Sequence, residues 1–186
     1  MVDSVDAITR SRIMAKVRNR NTAPELALRK ELFRLGFRYR LHCPALAGKP
    51  DIVFPQYRAV VFIHGCFWHW HGCRLHMPET NATFWQSKLK GNQQRDAETR
   101  ARLLFAGWRV LEVWECALKT RLVTKAAELT AAWLHEEYAF SVLEPAEKSE
   151  TESALRRTDV PWSDLSTPEQ VGKLDPHQDS VASYPT

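Results

Sequence analysis

Apolar residues fall into a succession of short periodic runs between Thr22 and Tyr138. Thr22-Ala23-Pro24-Glu25 has the make-up of a helix start, with Thr22 as N-cap, Pro24 in the first turn and Glu25 at the third position. Leu28, Leu32 and Leu35 then recur at helical spacing, and Gly36 closes the helix. Phe37, Tyr39 and Leu41 alternate with Arg38, Arg40 and His42, which predicts a half-buried strand. A Pro- and Gly-containing loop from Cys43 to Pro50 leads into a short strand, Asp51 to Phe54, and a turn, Pro55 to Arg58. Ala59 to Ile63 is an apolar run suited to a central strand. A long helix is expected from about Thr83 to Ala106 with Gly107 as its stop, then a β-branched strand from Trp108 to Trp114. The last helix spans Thr120 to Tyr138, with Leu122, Ala126, Leu129 and Trp133 on one face. Helix, three strands, helix, strand, helix predicts an α/β fold, a mixed sheet with helices on both faces.

Beyond Ser141 the periodicity stops. Residues 141–186 are rich in Pro, Ser, Thr, Asp and Glu, and carry 4 basic and 9 acidic side chains. Residues 1–140 carry 22 basic and 13 acidic ones. The formal charge of +4 thus hides a basic body and an acidic end. Three parts are expected: a basic arm over residues 1–21, one domain over 22–140, and a disordered tail over 141–186 from which Trp162 and Leu165 can still pack on the body. A basic body predicts an anionic partner, nucleic acid before membrane. No run approaches the ~18–20 apolar residues of a membrane span. Met1 to Asp6 lacks a basic segment, which speaks against a secretory leader. Four cysteines in such a chain suggest metal or chemistry rather than disulfides. Residues 7–24 hold five basic residues and no acid, and Arg10, Arg12 and Lys16 among them suit DNA phosphates or the minor groove.

The candidate chemistry is concentrated after the Ala59–Ile63 run. Cys66, His71 and Cys73 set three soft donors within eight residues, a pattern for tetrahedral zinc that needs a fourth ligand from elsewhere. Cys116 is the best fourth donor. Cys43 is its alternative, and His69 and His76 compete with His71. The same loop carries Phe67, Trp68 and Trp70, aromatics able to wedge between bases if they reach the surface. Asp51 opens one strand beside His64 at the end of the next, where a carboxylate and the Ile63 carbonyl suit a hard cation such as magnesium. His64 and His69 titrate near neutral pH, and Glu25 and Asp96 can complete the pocket. Each also has an ordinary explanation: a capping box for Glu25, an i,i+4 pair with Arg100 for Asp96, a core position for His64, a strand start for Asp51.

Gly65-Cys66-Phe67-Trp68-His69-Trp70-His71-Gly72-Cys73 resembles the Vsr family, the very-short-patch mismatch repair endonucleases. The likeness continues through Thr9-Arg10-Ser11, Gly48-Lys49-Pro50-Asp51, Phe84-Trp85, Asn92 to Asp96, Gly107 to Leu111 and Val113 to Leu118, over roughly residues 7–136. The resemblance implies a restriction-endonuclease-like fold and an endonuclease that uses two catalytic magnesium ions. It implies nicking of one strand 5′ of the thymine in a T:G mismatch left by deamination of 5-methylcytosine; the alternatives are a site-specific endonuclease or nickase acting on matched duplex and a non-catalytic zinc-braced DNA-binding module. Carried over by position, Asp51 resembles the metal-binding aspartate and Ile63 the residue whose carbonyl binds metal. His64, His69, Asp96 and Glu25 match the other active-site positions. Cys66, His71, Cys73 and Cys116 match the ligands of one structural zinc ion, and Phe67, Trp68 and Trp85 the intercalating wedge. The implied partner is double-stranded DNA carrying a T:G mismatch, with mismatch-repair matchmaker proteins and a repair polymerase around it. A monomer at the bacterial nucleoid, without membrane attachment, is expected. Ile63 replaces an expected threonine and Trp70 a familiar histidine. Phe62 and His64 stand where the wider nuclease superfamily has an acid and a lysine, a change typical of Vsr.

Overall fold

The computed structural model describes residues 20–73, 78, 81–146 and 155–165, with Thr9 and Arg12. One six-stranded sheet holds β1 (Arg40–Leu41), β2 (Ile52–Phe54), β3 (Ala59–His64), β4 (Arg109–Trp114), β5 (Tyr138–Pro145) and β6 (Leu155–Pro161), in that spatial order. β1, β2 and β3 are antiparallel neighbours, β3, β4 and β5 are parallel, and β6 returns antiparallel along β5. Among the elements described, the helix α1 (Ala23–Arg34) precedes the sheet. The two parallel steps are made through α2 (Ala82–Phe105) and α3 (Val123–Leu134), as crossovers between parallel strands require.

Strand alternation sorts the core into two layers. Ile52, Phe54, Val61, Leu111, Val113 and Leu143 meet Leu28 and Leu32 of α1 and Ala126 and Trp133 of α3. Val53, Val60, Val110, Phe140 and Val142 face the other way, against Leu103 and Leu104 of α2. The result is the expected mixed sheet with helices on both faces, and it fits a restriction-endonuclease-like fold. Among the described residues no helix is long and apolar enough to cross a membrane. α1 and α2 stop in the same way. Gly36 and Gly107 take φ of +94° and +74°, and the next residues donate back to Leu32 and Leu103 at 3.0 and 2.9 Å. That six-to-one bond needs a residue free to adopt the left-handed region.

Several boundaries differ from expectation. β1 is two residues long, because Phe37 and Tyr39 turn onto the Phe54 ring instead of pairing, at centroid distances of 6.1 and 5.8 Å. Leu35 caps α1 and is exposed rather than continuing its buried stripe. α3 ends at Leu134, where the Arg109 guanidinium takes the Trp133, Leu134 and Tyr138 carbonyls, so Tyr138 opens β5 instead of closing the helix.

The boundary at residue 140 is corrected most. Residues 141–145 lie inside β5, and residues 155–165 form β6 and a 3-10 turn. β5 lies between β4 and β6 and is covered on both faces, so its buried residues run unbroken from Ala139 to Glu144 and show no alternation. Its buried polar members are paired across the hairpin: Ser141 donates to Asp159 at 2.6 Å, and Arg156 donates to Glu144 at 2.6 Å. Leu165 packs on the α2-side core, while Trp162 is exposed. Arg10 and Lys16 of the expected arm, His76, and residues 166–186 lie outside the described residues.

Candidate active site and metal centre

The parallel strands bring the carboxyl ends of β3, β4 and β5 to one edge, the usual place for a site in such a sheet. β3 delivers His64 and then the 65–73 loop, β4 runs on into Glu115 and Cys116, and β5 ends beside Glu144. An open cleft of about 700 Å³ lies at this edge, and Glu25, Asp51, Ile63, His64, His69 and Asp96 all line it. The structure therefore brings together every residue expected to be catalytic.

Asp51 is placed by the β2–β3 register, with Ile52 opposite Val61. Its Oδ2 accepts the Ile63 N–H at 2.8 Å, and its Oδ1 faces His42 Nδ1 at 3.9 Å. Burial raises the Asp51 pKa, the Ile63 N–H works against that, and the nearby Glu25 charge adds to it. A desolvated carboxylate beside a second one, open to a cleft, fits a hard divalent cation.

His69 Nδ1 meets Asp96 Oδ2 at 2.5 Å, so a carboxylate holds the Nδ1 proton and leaves Nε2 as the basic nitrogen. The His64 ring lies 4.1 Å from that of His69 and stacks on Phe62. His64 is buried, with Nε2 3.8 Å from Glu112 Oε1. Burial alone would lower the His64 pKa, but Glu112, helped by Asp96 and Asp51, holds it above the ordinary value. Glu112 is buried too, which by itself would raise its pKa. The Arg100 guanidinium, donating to Oε1 at 2.7 Å, and His64 hold it instead at about 2. The surface pairing of Asp96 with Arg100 is thus replaced: Arg100 turns into the core, and Asp96 serves His69.

Glu25 exceeds its capping role. It accepts the Asn21 N–H at 2.9 Å, the Thr22 hydroxyl at 2.9 Å and the Arg29 guanidinium at 2.7 Å. The Thr22 hydroxyl therefore points to Glu25 and makes no backbone cap. Arg29 also reaches His42 Nε2 at 3.1 Å, so a polar chain runs from Glu25 through Arg29 and His42 to Asp51.

Beside the cleft, Cys66, His71, Cys73 and Cys116 place one donor atom each within 4.8 Å of the others. Cys116 is thereby the fourth member rather than Cys43, and His71 rather than His69, which belongs to the cleft. His71 Nδ1 lies 3.7 Å from Cys66 Sγ and 3.4 Å from Cys116 Sγ. Donors around a tetrahedral zinc stand about 3.5–3.8 Å apart, so the set fits such an ion. The adjacent Cys116 thiol and burial push the Cys66 thiol up, and burial does the same to Cys73. A cation that displaces the thiol protons to solvent and binds the thiolates relieves that crowding. Glu115 joins the two sites, accepting the Cys66 N–H at 3.0 Å while lining the cleft.

Phe67, Trp68 and Trp85 form one half-buried cluster, with Phe67 5.2 Å from Trp68 and 5.3 Å from Trp85 between ring centroids. Asn92 of α2 donates to the Trp68 carbonyl at 2.7 Å and ties the loop to the helix. Trp68 also lines the cleft, so the cluster stands at its mouth. Trp70 sits at a φ of +53° in the turn that follows. Arg12 is exposed, and Arg20 lines the cleft.

The family model described as DNA mismatch endonuclease Vsr matches residues 2–75. A Type II nicking enzyme of Xanthomonas oryzae is 46% identical over 119 residues, 63% of this chain and 88% of that protein. The DNA mismatch endonuclease Vsr of Escherichia coli is 45% identical over 122 residues, 65% of this chain and 78% of that protein. The chain belongs to the Vsr family. A further relative, a Type II nicking enzyme of Neisseria meningitidis, is 43% identical over 126 residues, covering 67% of this chain and 90% of that protein.

Sequence reasoning passed over His42, which lines this Vsr-family cleft, and Glu112 and Glu144, which pair with His64 and His71. Glu112 carried a readable signal, an acid inside a β-branched strand that burial obliges to find a cation. His42 was hidden by its neat alternation with Tyr39 and Leu41, although its φ of +47° takes it out of the strand. Glu144 was hidden by the acidic composition around it.

Proposed function

We propose that the protein is a magnesium-dependent DNA endonuclease that nicks one strand 5′ of the thymine in a T:G mismatch and so initiates very-short-patch repair. The observation that carries this reading is the meeting of Asp51 and the His69–Asp96 pair in one cleft whose mouth is lined by Trp68. Asp51 and the Ile63 carbonyl would hold magnesium, which when bound neutralises phosphate charge and activates water. His69 Nε2 takes the proton of the attacking water as its oxygen closes on phosphorus and the bridging P–O bond breaks. Asp96 stabilises the imidazolium that forms, as a carboxylate on the far nitrogen does in other acid–base pairs. His64, favoured in its cationic form by Glu112, donates to the scissile phosphate. Glu25, fixed by Arg29, orients water at the other wall.

The aromatic cluster supplies the search for the mismatch. A T:G wobble pair is weakly stacked, so prying it open costs less than prying open a matched pair. Phe67 and Trp68 enter the stack there, with Trp85 behind them. Arg10, Arg12 and Lys16 add phosphate affinity with little sequence information. One structural zinc ion held by Cys66, His71, Cys73 and Cys116 keeps the loop rigid. The enzyme acts as a monomer in the bacterial cytoplasm, with matchmaker proteins and a repair polymerase following it.

A second reading is a site-specific nickase acting on matched duplex, favoured by the name Type II nicking enzyme that five relatives carry. A panel of duplexes with T:G, other mismatches or matched pairs in varied flanking sequence separates the two. Nicking confined to the thymine strand of T:G duplexes supports the first reading, and equal nicking of a matched site supports the second.

A further inference from the structure

His71 is held on two further sides. Its ring stacks on Trp114 at 4.3 Å between centroids and 11° between planes. Its Nε2 meets Glu144 Oε2 at 2.6 Å, while Nδ1 faces the thiols of Cys66 and Cys116. The second oxygen of Glu144 accepts Arg156 Nη2 at 2.6 Å. Glu144 belongs to β5 and Arg156 to β6, both inside the hairpin that its composition disguised. Their register sets Glu144 opposite Arg156, and the parallel β4–β5 register carries Glu144 toward Trp114.

We infer that Glu144 is a positioning residue of the thiol–imidazole metal centre. Its carboxylate takes the Nε2 proton of His71 as a hydrogen bond, which fixes the tautomer with a bare Nδ1 aimed at the metal position. Arg156 in turn fixes the carboxylate. The β5–β6 hairpin is then part of the metal centre, although it supplies none of the four donors. Ligating histidines are regularly oriented by a carboxylate on the other ring nitrogen, and losing that partner costs 10–100-fold in metal affinity. Trp114 sets the plane of the ring and Glu144 its rotation, so the two contacts leave the imidazole one orientation.

The inference rests on the zinc reading proposed above, and one experiment separates their failures. Zinc content and the rate of zinc transfer to a chromogenic chelator are measured on the full chain for wild type, Glu144→Gln, Glu144→Ala and Arg156→Met. Thermal melts are recorded alongside, and transfer is read well below every melting midpoint. Wild type should hold one zinc per chain. Glu144→Ala should release it 10–100-fold faster, Glu144→Gln less so because its amide oxygen still accepts the Nε2 proton, and Arg156→Met least. Should Glu144→Ala fail to fold, the graded response of Glu144→Gln and Arg156→Met decides. A wild type without zinc overturns the zinc reading and this inference with it. A zinc-loaded wild type whose folded Glu144 variants release zinc at the wild-type rate overturns the inference alone, and reduces Glu144 to a strut between two strands.

Discussion

At the residue scale, the pairing of Arg100 with Glu112 shows how the cleft is supported from beneath. Both side chains are buried, and removing one partner of a buried ion pair typically costs about 3–5 kcal/mol because the other charge is stranded. Arg100→Met should therefore destabilise the protein by about that much, and adding Glu112→Gln should recover much of the loss, as read from urea unfolding. The pH dependence has a definite sign. Glu112 is held at about 2, below its ordinary value of 4.5, so its contribution is fully present above about pH 4.5 and is lost as pH falls toward 2. Between those limits the stability gap separating wild type from Glu112→Gln should narrow with acidification. A gap that stays constant over that range contradicts the ionised pair. In the wild type the same carboxylate raises the His64 pKa, which links the buried Arg100–Glu112 pair to a residue that lines the cleft.

At the element scale, the 65–73 loop and the start of α2 work as one piece, because Asn92 ties the Trp68 carbonyl to the helix and Phe67 packs on Trp85. If this piece is the wedge, Trp68→Ala should reduce discrimination between T:G and matched duplex while leaving the salt slope of binding unchanged. Equal loss on both duplexes would make the loop mere packing. The same elements show what was legible beforehand. α1, β3, α2 and β4 were readable because each shows its own period and a stop signal, as at Gly36 and Gly107. The site was readable where its donors are close in sequence, as in Cys66, His71 and Cys73. β5 and β6 were not, since a strand covered on both faces has no alternation, and its buried Ser141 and Glu144 owe their partners to a hairpin that composition conceals. Likewise Arg100 could be assigned to the surface only until Glu112 was seen beneath it.

At the scale of the whole molecule, three parallel strands end at one edge and set the cleft, the thiol–imidazole centre and the aromatic cluster side by side. Glu115 binds the first two together through the Cys66 N–H. A four-donor centre of this kind leaves no open position, so its metal should support the fold rather than the chemistry. Cys116→Ala should lose stoichiometric zinc and melt at lower temperature, checked by metal analysis and calorimetry. A full zinc complement with an unchanged melting curve would remove Cys116 from the ligand set. In the proposed function, Asp51 organises strand cleavage at the mismatch. Single-turnover nicking and equilibrium binding of one T:G duplex, with wild type and Asp51→Asn at saturating magnesium, decide whether it does. The variant should bind the T:G duplex nearly as wild type does yet yield no nick 5′ of the thymine. Substantial nicking by Asp51→Asn with an ordinary magnesium requirement would contradict it.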